Sequence, residues 1–232
     1  MTAPHTLTPA APQRSPRARH WLAPTRRAAT AVAMGAALCL AGAGAWAAGT
    51  MRVAMTLSDI PVPNGQTDQG AEGMRFIGYT VFEALVAFDL SSADKASGLI
   101  PGLATEWKVN ATDKTRWTFK LRPDVKFHDG STFNAQAVVW NLDKLLNSQA
   151  EQFDPKQAAQ GRNRIPTVKA YKVIDELTVE ITTAEPEAQL PYQLAMVVMS
   201  SPAQWLALGK SWDNFIKKPS GTGPFKMETY VP

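Results

Sequence analysis

The chain is poor in reactive side chains. It has a single cysteine, Cys39, and three histidines, of which His5 and His20 share with Cys39 the first 47 of its 232 residues. Beyond residue 47 there is no thiol, which excludes disulfides, cysteine nucleophiles and thiolate metal sites from that part. His128 is its one imidazole. Zinc sites take three or four ligands, mostly His and Cys, so structural and catalytic zinc are both excluded. No G-x-S-x-G elbow supplies His128 with a serine partner, and His128-Asp129-Gly130 reads as a turn between strands. Gly221-Thr222-Gly223-Pro224 contains Gly-x-Gly, but proline stands where a phosphate loop would offer an N–H, and no full G-x-x-x-x-G-K-S/T pattern occurs.

Excess charge is lacking too. The formal charge of +4 suggests a nucleic-acid partner, yet Arg14, Arg17, Arg19, Arg26 and Arg27 all precede residue 28, and no acid appears before Asp59. Without them 19 basic residues face 20 acidic ones. An evenly scattered, near-neutral body has no footprint for a phosphate backbone, and no nucleic-acid partner is expected.

The basic leader runs into residues 28–48, which hold no charge. Ala45-Trp46-Ala47 fits the small-x-small rule of a signal peptidase, so residues 1–47 read as an export signal cleaved after Ala47. The rival is an uncleaved anchor, since 21 apolar residues can span a bilayer. Thr25-Arg26-Arg27 resembles a twin-arginine signal without the residues that normally follow it, which leaves the export route open. Leu38 precedes Cys39 where a lipoprotein needs a small residue, which argues against lipidation.

The periodicities beyond the leader predict a mixed architecture. Residues 52–57 read as a buried strand and residues 58–65 as a Pro/Gly/Asn-rich loop. Met74, Ile77, Val81, Phe82, Leu85 and Val86 recur at helical spacing, predicting an amphipathic helix over 69–88. Two-residue alternation predicts strands at 106–109 and 116–121, with Trp107, Trp117 and Phe119 read as core. Asn134 offers an N-cap to a helix carrying Val138, Val139, Leu142, Leu145 and Leu146. Residues 149–164 are polar and aperiodic and read as a long surface loop. Residues 168–174 and 177–182 flank Asp175-Glu176 as a hairpin. A short helical stretch over 190–196 follows, then a helix started by Pro202, and residues 225–231 alternate like a strand. Strands and helices mix without regular alternation, so the fold class is α/β in the mixed, α+β sense.

Four motifs in order carry a family resemblance: Thr80-Val81-Phe82-Glu83-Ala84-Leu85-Val86; Pro101-Gly102-Leu103-Ala104-Thr105-Glu106-Trp107; the run from Trp117 through Leu121-Arg122-Pro123 to Phe127-His128-Asp129-Gly130 and Asn134-Ala135; and Gly221-Thr222-Gly223-Pro224-Phe225-Lys226. On these the chain resembles the extracytoplasmic solute-binding proteins of ABC importers, of the peptide/nickel (oligopeptide and dipeptide) family. The resemblance implies a type II periplasmic-binding-protein-like fold, with residues 48–232 as an N-terminal lobe that stops where a second lobe should continue. It implies a periplasmic, monomeric protein that captures a short peptide or related solute and hands it to an inner-membrane ABC permease by hinge closure, with no catalytic residues and no cofactor. Nickel chelates, opines and glutathione-like compounds are equally compatible. The ligand-facing residues it implies are Gln69, Gly70, Glu72, Gly73 and Met74, in the loop entering the first helix, and Ser200 and Ser201 beside the hinge. Glu72 would pair with an amine and Met74 would give adaptable apolar contact; the alternative is an ordinary solvated helix start. Two other readings stand beside this one, a truncated non-binding fragment and a secreted hydrolase using His128.

Overall fold

The computed structural model describes residues 52–54, 62–66 and 73–231. Two compact units divide the chain, Met1–Val53 and Ala54–Pro232; of the first, only Arg52 and Val53 are described. The export signal with its cleavage after Ala47, and Cys39, lie outside the described residues. Arg52, Val53 and Ala54 belong to no strand, and the rest of the strand expected over 52–57 is likewise outside them.

The second unit is built on a four-stranded antiparallel sheet. Its strands are β3 (Ala104–Val109), β4 (Arg116–Leu121), β5 (Val168–Asp175) and β6 (Thr178–Thr183), in the order β3-β4-β6-β5. In β6 the expected alternation is complete: Val179, Ile181 and Thr183 are buried and their neighbours half-buried. Phe119 is fully buried on β4 and Trp117 stacks beside it at 6.5 Å between ring centroids. Helix α2 (Ala135–Leu146) covers this face. It starts where the sequence says it should, with Asn134 Oδ1 accepting from the Ala137 N–H at 3.0 Å. Val138, Leu142 and Leu145 point into the sheet and are fully buried.

A smaller antiparallel pair, β1 (Val86–Phe88) with β2 (Leu99–Pro101), stands beside the sheet. The helix expected over 69–88 is corrected by it. A π-helical turn, Met74–Gly78, runs into α1 (Tyr79–Val81), and the chain turns extended at Phe82. The sequence periodicity continues beyond this point, but better partners take the backbone. Gly223 and Phe225 donate to the Val81 and Thr80 carbonyls at 3.0 Å each, and Leu103 and Ala104 donate to Ala84 and Leu85 at 3.0 and 2.7 Å. Every polar backbone group must be paired somewhere, and here distant segments of the chain supply the pairing that another helical turn would have given.

Two more expectations are corrected. Within 149–164 the structure forms α3 (Pro155–Arg164), with Asp154 capping Lys156 N–H at 2.9 Å and proline in the first turn. Its buried face is Gln157, Ala158 and Gly161, and Gly161 lies so close to Leu145 that a Cβ would come within 2.8 Å of Leu145 Cδ1. Close packing on small and polar residues leaves no hydrophobic stripe to read. Residues 225–231 form no strand. Phe225 is 64% and Val231 81% exposed, so the alternating apolar residues meet no buried face. The chain also forms α4 (Leu190–Leu194), α5 (Pro202–Ala207) and α6 (Trp212–Lys217).

The buried side chains form two clusters. The larger lies between the sheet and α2; the smaller gathers Met74, Val81, Phe82, Ala84, Val198, Trp205 and Phe215. Trp140, Trp205 and Trp212 meet edge-on or tilted at 5.6–6.0 Å within the smaller one, geometries the aromatic quadrupole favours.

Candidate functional site

His128 is held as scaffold. Its Nε2 lies 2.8 Å from the Gly223 carbonyl oxygen, its Nδ1 accepts from the Gly221 N–H at 3.4 Å, and its backbone N–H donates to the Gly221 carbonyl at 2.8 Å. The ring therefore clasps the Gly221-Thr222-Gly223-Pro224 bend with both nitrogens, leaving neither for catalysis. Gly130, at φ 88°, makes the turn that presents it. Among the described residues no group of three or more His, Cys, Asp or Glu side chains could hold a metal ion.

Ser200 and Ser201 are fully buried, and each meets protein groups. The Ser200 hydroxyl accepts from Lys144 Nζ at 2.9 Å, while its backbone N–H and carbonyl pair with the Asn141 amide, both at 2.9 Å. The Ser201 hydroxyl caps α5 through the Gln204 N–H at 3.1 Å and lies 3.2 Å from that of Ser131. As placed, a solute reaches either only by displacing a protein partner.

Ser200 also backs the segment 62–66. Gly65 sits at φ 108°, and any Cβ there would overlap the Ser200 hydroxyl and approach Lys144 Nζ to 3.1 Å. The Gln66 N–H donates to Gln157 Oε1 at 3.0 Å, and Gln157 Nε2 donates to Asp154 Oδ2 at 2.9 Å. This ties the segment that leads toward residues 69–72 to α2 and α3. Lys144 stands at the centre, fully buried, 5.4 Å from the Trp212 ring centroid. Burial pulls its pKa down to about 7, against the opposing pull of Asp154. The signal for this network was in the sequence: Asn141 and Lys144 fall at three-residue spacing from Val138, on the apolar face of α2 rather than its wet one.

Gln69, Gly70 and Glu72 lie outside the described residues. Gly73 and Met74 are buried at the start of the π-helical turn. Met74 packs in the smaller cluster and also lines an open cavity of about 420 Å³ with Arg75, Tyr79, Phe88, Leu90, Arg164 and Met196. Tyr79 donates its hydroxyl to the Ala195 carbonyl at 3.2 Å, and burial raises its pKa. Arg164 escaped the sequence reading because α3 did. A neighbouring cavity of about 280 Å³ shares Tyr79, Phe88 and Leu90 and extends to Gly102 and Pro224. A wider concavity, about 780 Å³, lies instead over α2 and β5, where the Tyr171 hydroxyl already donates to Asp143 at 2.8 Å.

Residues 98–232 match the family described as bacterial extracellular solute-binding proteins, family 5. Similar curated proteins include a di/tripeptide-binding protein of Pseudomonas aeruginosa, 34% identical over 66% of this chain and 30% of its own length. A glutathione-binding protein of Pectobacterium atrosepticum is 37% identical over 58% of this chain and 24% of its own length. Among solved structures, a periplasmic binding protein of Helicobacter pylori in complex with the peptide STSA superposes with a TM-score of 0.60 at 25% identity, over 73% of this chain and 34% of that one. The chain thus spans about 30% of the length of the first curated relative.

Proposed function

We propose, from the family to which this chain belongs, the bacterial extracellular solute-binding proteins of family 5, that it serves the capture of a short peptide or related small solute outside the cytoplasm for an ABC importer. The observation that carries the reading is the family match over 98–232, more than half of the chain, joined to relatives named for di- and tripeptides and for glutathione. Residues 1–47 direct export to the periplasm and are removed. Residues 48–232 act as an N-terminal lobe, and the partner that receives the solute is a permease of the inner membrane. The chemistry is binding and release, not catalysis. On this reading the loop of Gln69, Gly70, Glu72, Gly73 and Met74 faces the solute, Glu72 pairing with its amine and the glycines letting the backbone approach. Ser200 and Ser201 belong to the same site, and the close approach of Gly65 to the Ser200 hydroxyl supports a role for Ser200 in backing the segment that leads toward that loop.

Ligand-dependent melting of the exported chain tests the proposal. A ligand that binds only the folded state at a hundred times its Kd stabilises it by roughly 2.7 kcal/mol. A panel of di- and tripeptides and glutathione is expected to contain compounds that raise Tm in a concentration-dependent way. A flat response across the whole panel at millimolar concentration overturns the proposal.

A further inference from the structure

Lys144 has more donors than its surroundings accept. It lies on the inward face of α2 with no exposed surface, and among the described residues the Ser200 hydroxyl, at 2.9 Å, is the sole hydrogen-bond acceptor for its Nζ. An ammonium carries three N–H donors, so two of them go unmet whenever the side chain is charged, in a place closed to water. Buried donors without partners are costly, and a buried ammonium without an ion-paired carboxylate costs more. Two groups pull the other way. The Trp212 ring centroid lies 5.4 Å from Nζ, and the Asp154 carboxylate at the start of α3 favours the charged form. The other segments packed on Nζ bring neutral groups, Gly65 from 62–66 and Ser200 from 199–201. Of the charged residues nearest in sequence to these contacts, Asp143 is taken by the Tyr171 hydroxyl, and Lys156 and Asp213 are exposed. Burial wins by enough to hold the amine's pKa at about 7.

The carboxylate that would answer the charge is already engaged. Asp154 Oδ1 accepts from the Lys156 N–H and Oδ2 from Gln157 Nε2, both at 2.9 Å, and the Asp154 N–H donates to the Lys144 carbonyl at 3.2 Å. Turning Oδ2 toward an ammonium takes away the bond that orients the Gln157 amide. The other end of that amide, Oε1, holds the Gln66 N–H at 3.0 Å. Gln66 in turn donates its Nε2 to the Met196 carbonyl at 3.1 Å and accepts the Val198 N–H on Oε1 at 3.4 Å. Gly65 adds a direct contact, since a Cβ there would stand 3.1 Å from Nζ. Segment 62–66 therefore feels Lys144 by two routes, through the Asp154–Gln157 chain and across Gly65.

We propose that Lys144 is a proton-operated positioning residue: as a neutral amine it leaves Asp154 on Gln157 and holds residues 62–66 in place, and on protonation it draws Asp154 away and releases Gln66, so that solute capture weakens in acid. The inference rests on the solute-capture reading above and deepens it, adding a proton that is given up when the solute binds.

Two readouts on the full chain test it between pH 6 and pH 8. One is exchange of the Gln66 amide followed by NMR and corrected for the intrinsic pH dependence of exchange; the other is calorimetric titration with Leu-Leu and Lys-Ala. A group that titrates at about 7 is about nine-tenths neutral at pH 8 and about one-tenth at pH 6, so Gln66 protection and peptide affinity are both expected to fall about tenfold on acidification. Lys144→Met is expected to hold both level, and it carries the same titration of the peptide's own amine, which cancels in the comparison. Ser200→Ala removes the acceptor that an ammonium uses more strongly than an amine, and is expected to move the midpoint of Gln66 protection about half a pH unit or more toward acid. Melting curves establish that each variant folds. If Lys144→Met does not fold, Ser200→Ala decides, and an unmoved midpoint overturns the inference. Gln66 protection that is level from pH 8 to pH 6 in the natural chain, or a fall that survives Lys144→Met, also overturns it. A peptide that binds with the same pH dependence in the natural chain and in Lys144→Met removes the proton coupling and leaves peptide capture standing. If neither peptide binds, peptide capture is what fails, and the Gln66 amide alone decides whether Lys144 holds the segment.

Discussion

Lys144 is a primary amine enclosed on all sides by protein, with Ser200 as hydrogen-bond partner, Trp212 under its charge and the Asp154 carboxylate as the opposing electrostatic influence. Its folded pKa of about 7 lies below the unfolded value near 10.4. Between these values the unfolded chain holds a proton that the folded chain does not, so stability rises with pH from about 7 towards 10 and, for this group, is flat below 7. The slope from one such group is at most about 1.4 kcal/mol per pH unit. Urea denaturation at steps from pH 6 to 9.5 is expected to show this rise in the natural chain, and Lys144→Met to flatten it. Equal slopes in both would show that the amine is charged in the folded state. His128 offers a second test at this scale. Replacing it with Ala removes the hydrogen bond to the Gly223 carbonyl and the acceptor for the Gly221 N–H, and is expected to cost about 2 kcal/mol, read as a lower urea midpoint with unchanged m. A His128→Ala protein as stable as the parent would remove the ring from the scaffold.

At the scale of elements, the Gly221–Gly223 bend replaces the next turn of α1. Gly223 lies so close to the preceding segment that a Cβ would meet the Thr80 carbonyl oxygen at 2.5 Å, and one on Gly221 would overlap the Val81 oxygen. These are backbone atoms that cannot swing aside. Gly223→Ala is expected to destabilise by more than about 3 kcal/mol or to prevent folding. Gly98→Ala, where nothing lies within 4 Å, is expected to stay within about 0.5 kcal/mol; a tolerant Gly223→Ala would mean that the bend is not the helix stop. The same contact explains what could be read in advance. Strands β4 and β6, the α2 cap at Asn134 and the turn at His128 declare themselves through local alternation, capping chemistry and a glycine with positive φ. The end of α1 at Val81 depends on residues some 140 positions away, so the periodicity running on to Val86 predicts a helix that tertiary pairing forbids. Helix α3 buries Gln157, Ala158 and Gly161 and so carries no apolar stripe. Arg164, at its end, could not be placed beside Met74 until α3 existed. Met74 itself was legible as an apolar residue at a loop-to-helix entry, and the inward placing of Asn141 and Lys144 was legible in their spacing from Val138, whereas their pairing with Ser200 was not, because it joins residues 59 and 56 positions apart.

At the scale of the whole unit, the two apolar clusters share one piece of backbone. Ala84 pairs with Val198 across an antiparallel bridge, and Met199 N–H donates to the Glu83 carbonyl at 2.9 Å. Extended chain points successive side chains to opposite faces, so Val197 and Met199 enter the larger cluster while Val198 enters the smaller, as Leu85 and Ala84 do on the facing segment. Neither core can lose this wall without exposing the other. The consequence is a single cooperative unit, in which a defect in the smaller core lowers the global unfolding free energy. Val198→Ala removes two buried methyl groups and is expected to cost about 2 kcal/mol. Val198 touches neither β4 nor β6 in sequence, yet the slowest-exchanging amides are expected in those two central strands, since they open only when the whole unit unfolds. Hydrogen exchange followed by mass spectrometry is then expected to show residues 116–121 and 178–183 exchanging at least about tenfold faster in Val198→Ala, by the same free energy as the loss in urea. If acceleration were confined to α5 and α6, the smaller cluster would be opening by itself. The continuous wall formed by 83–86 and 197–199 would then fail to couple the cavity beside Met74 to the stability of the sheet.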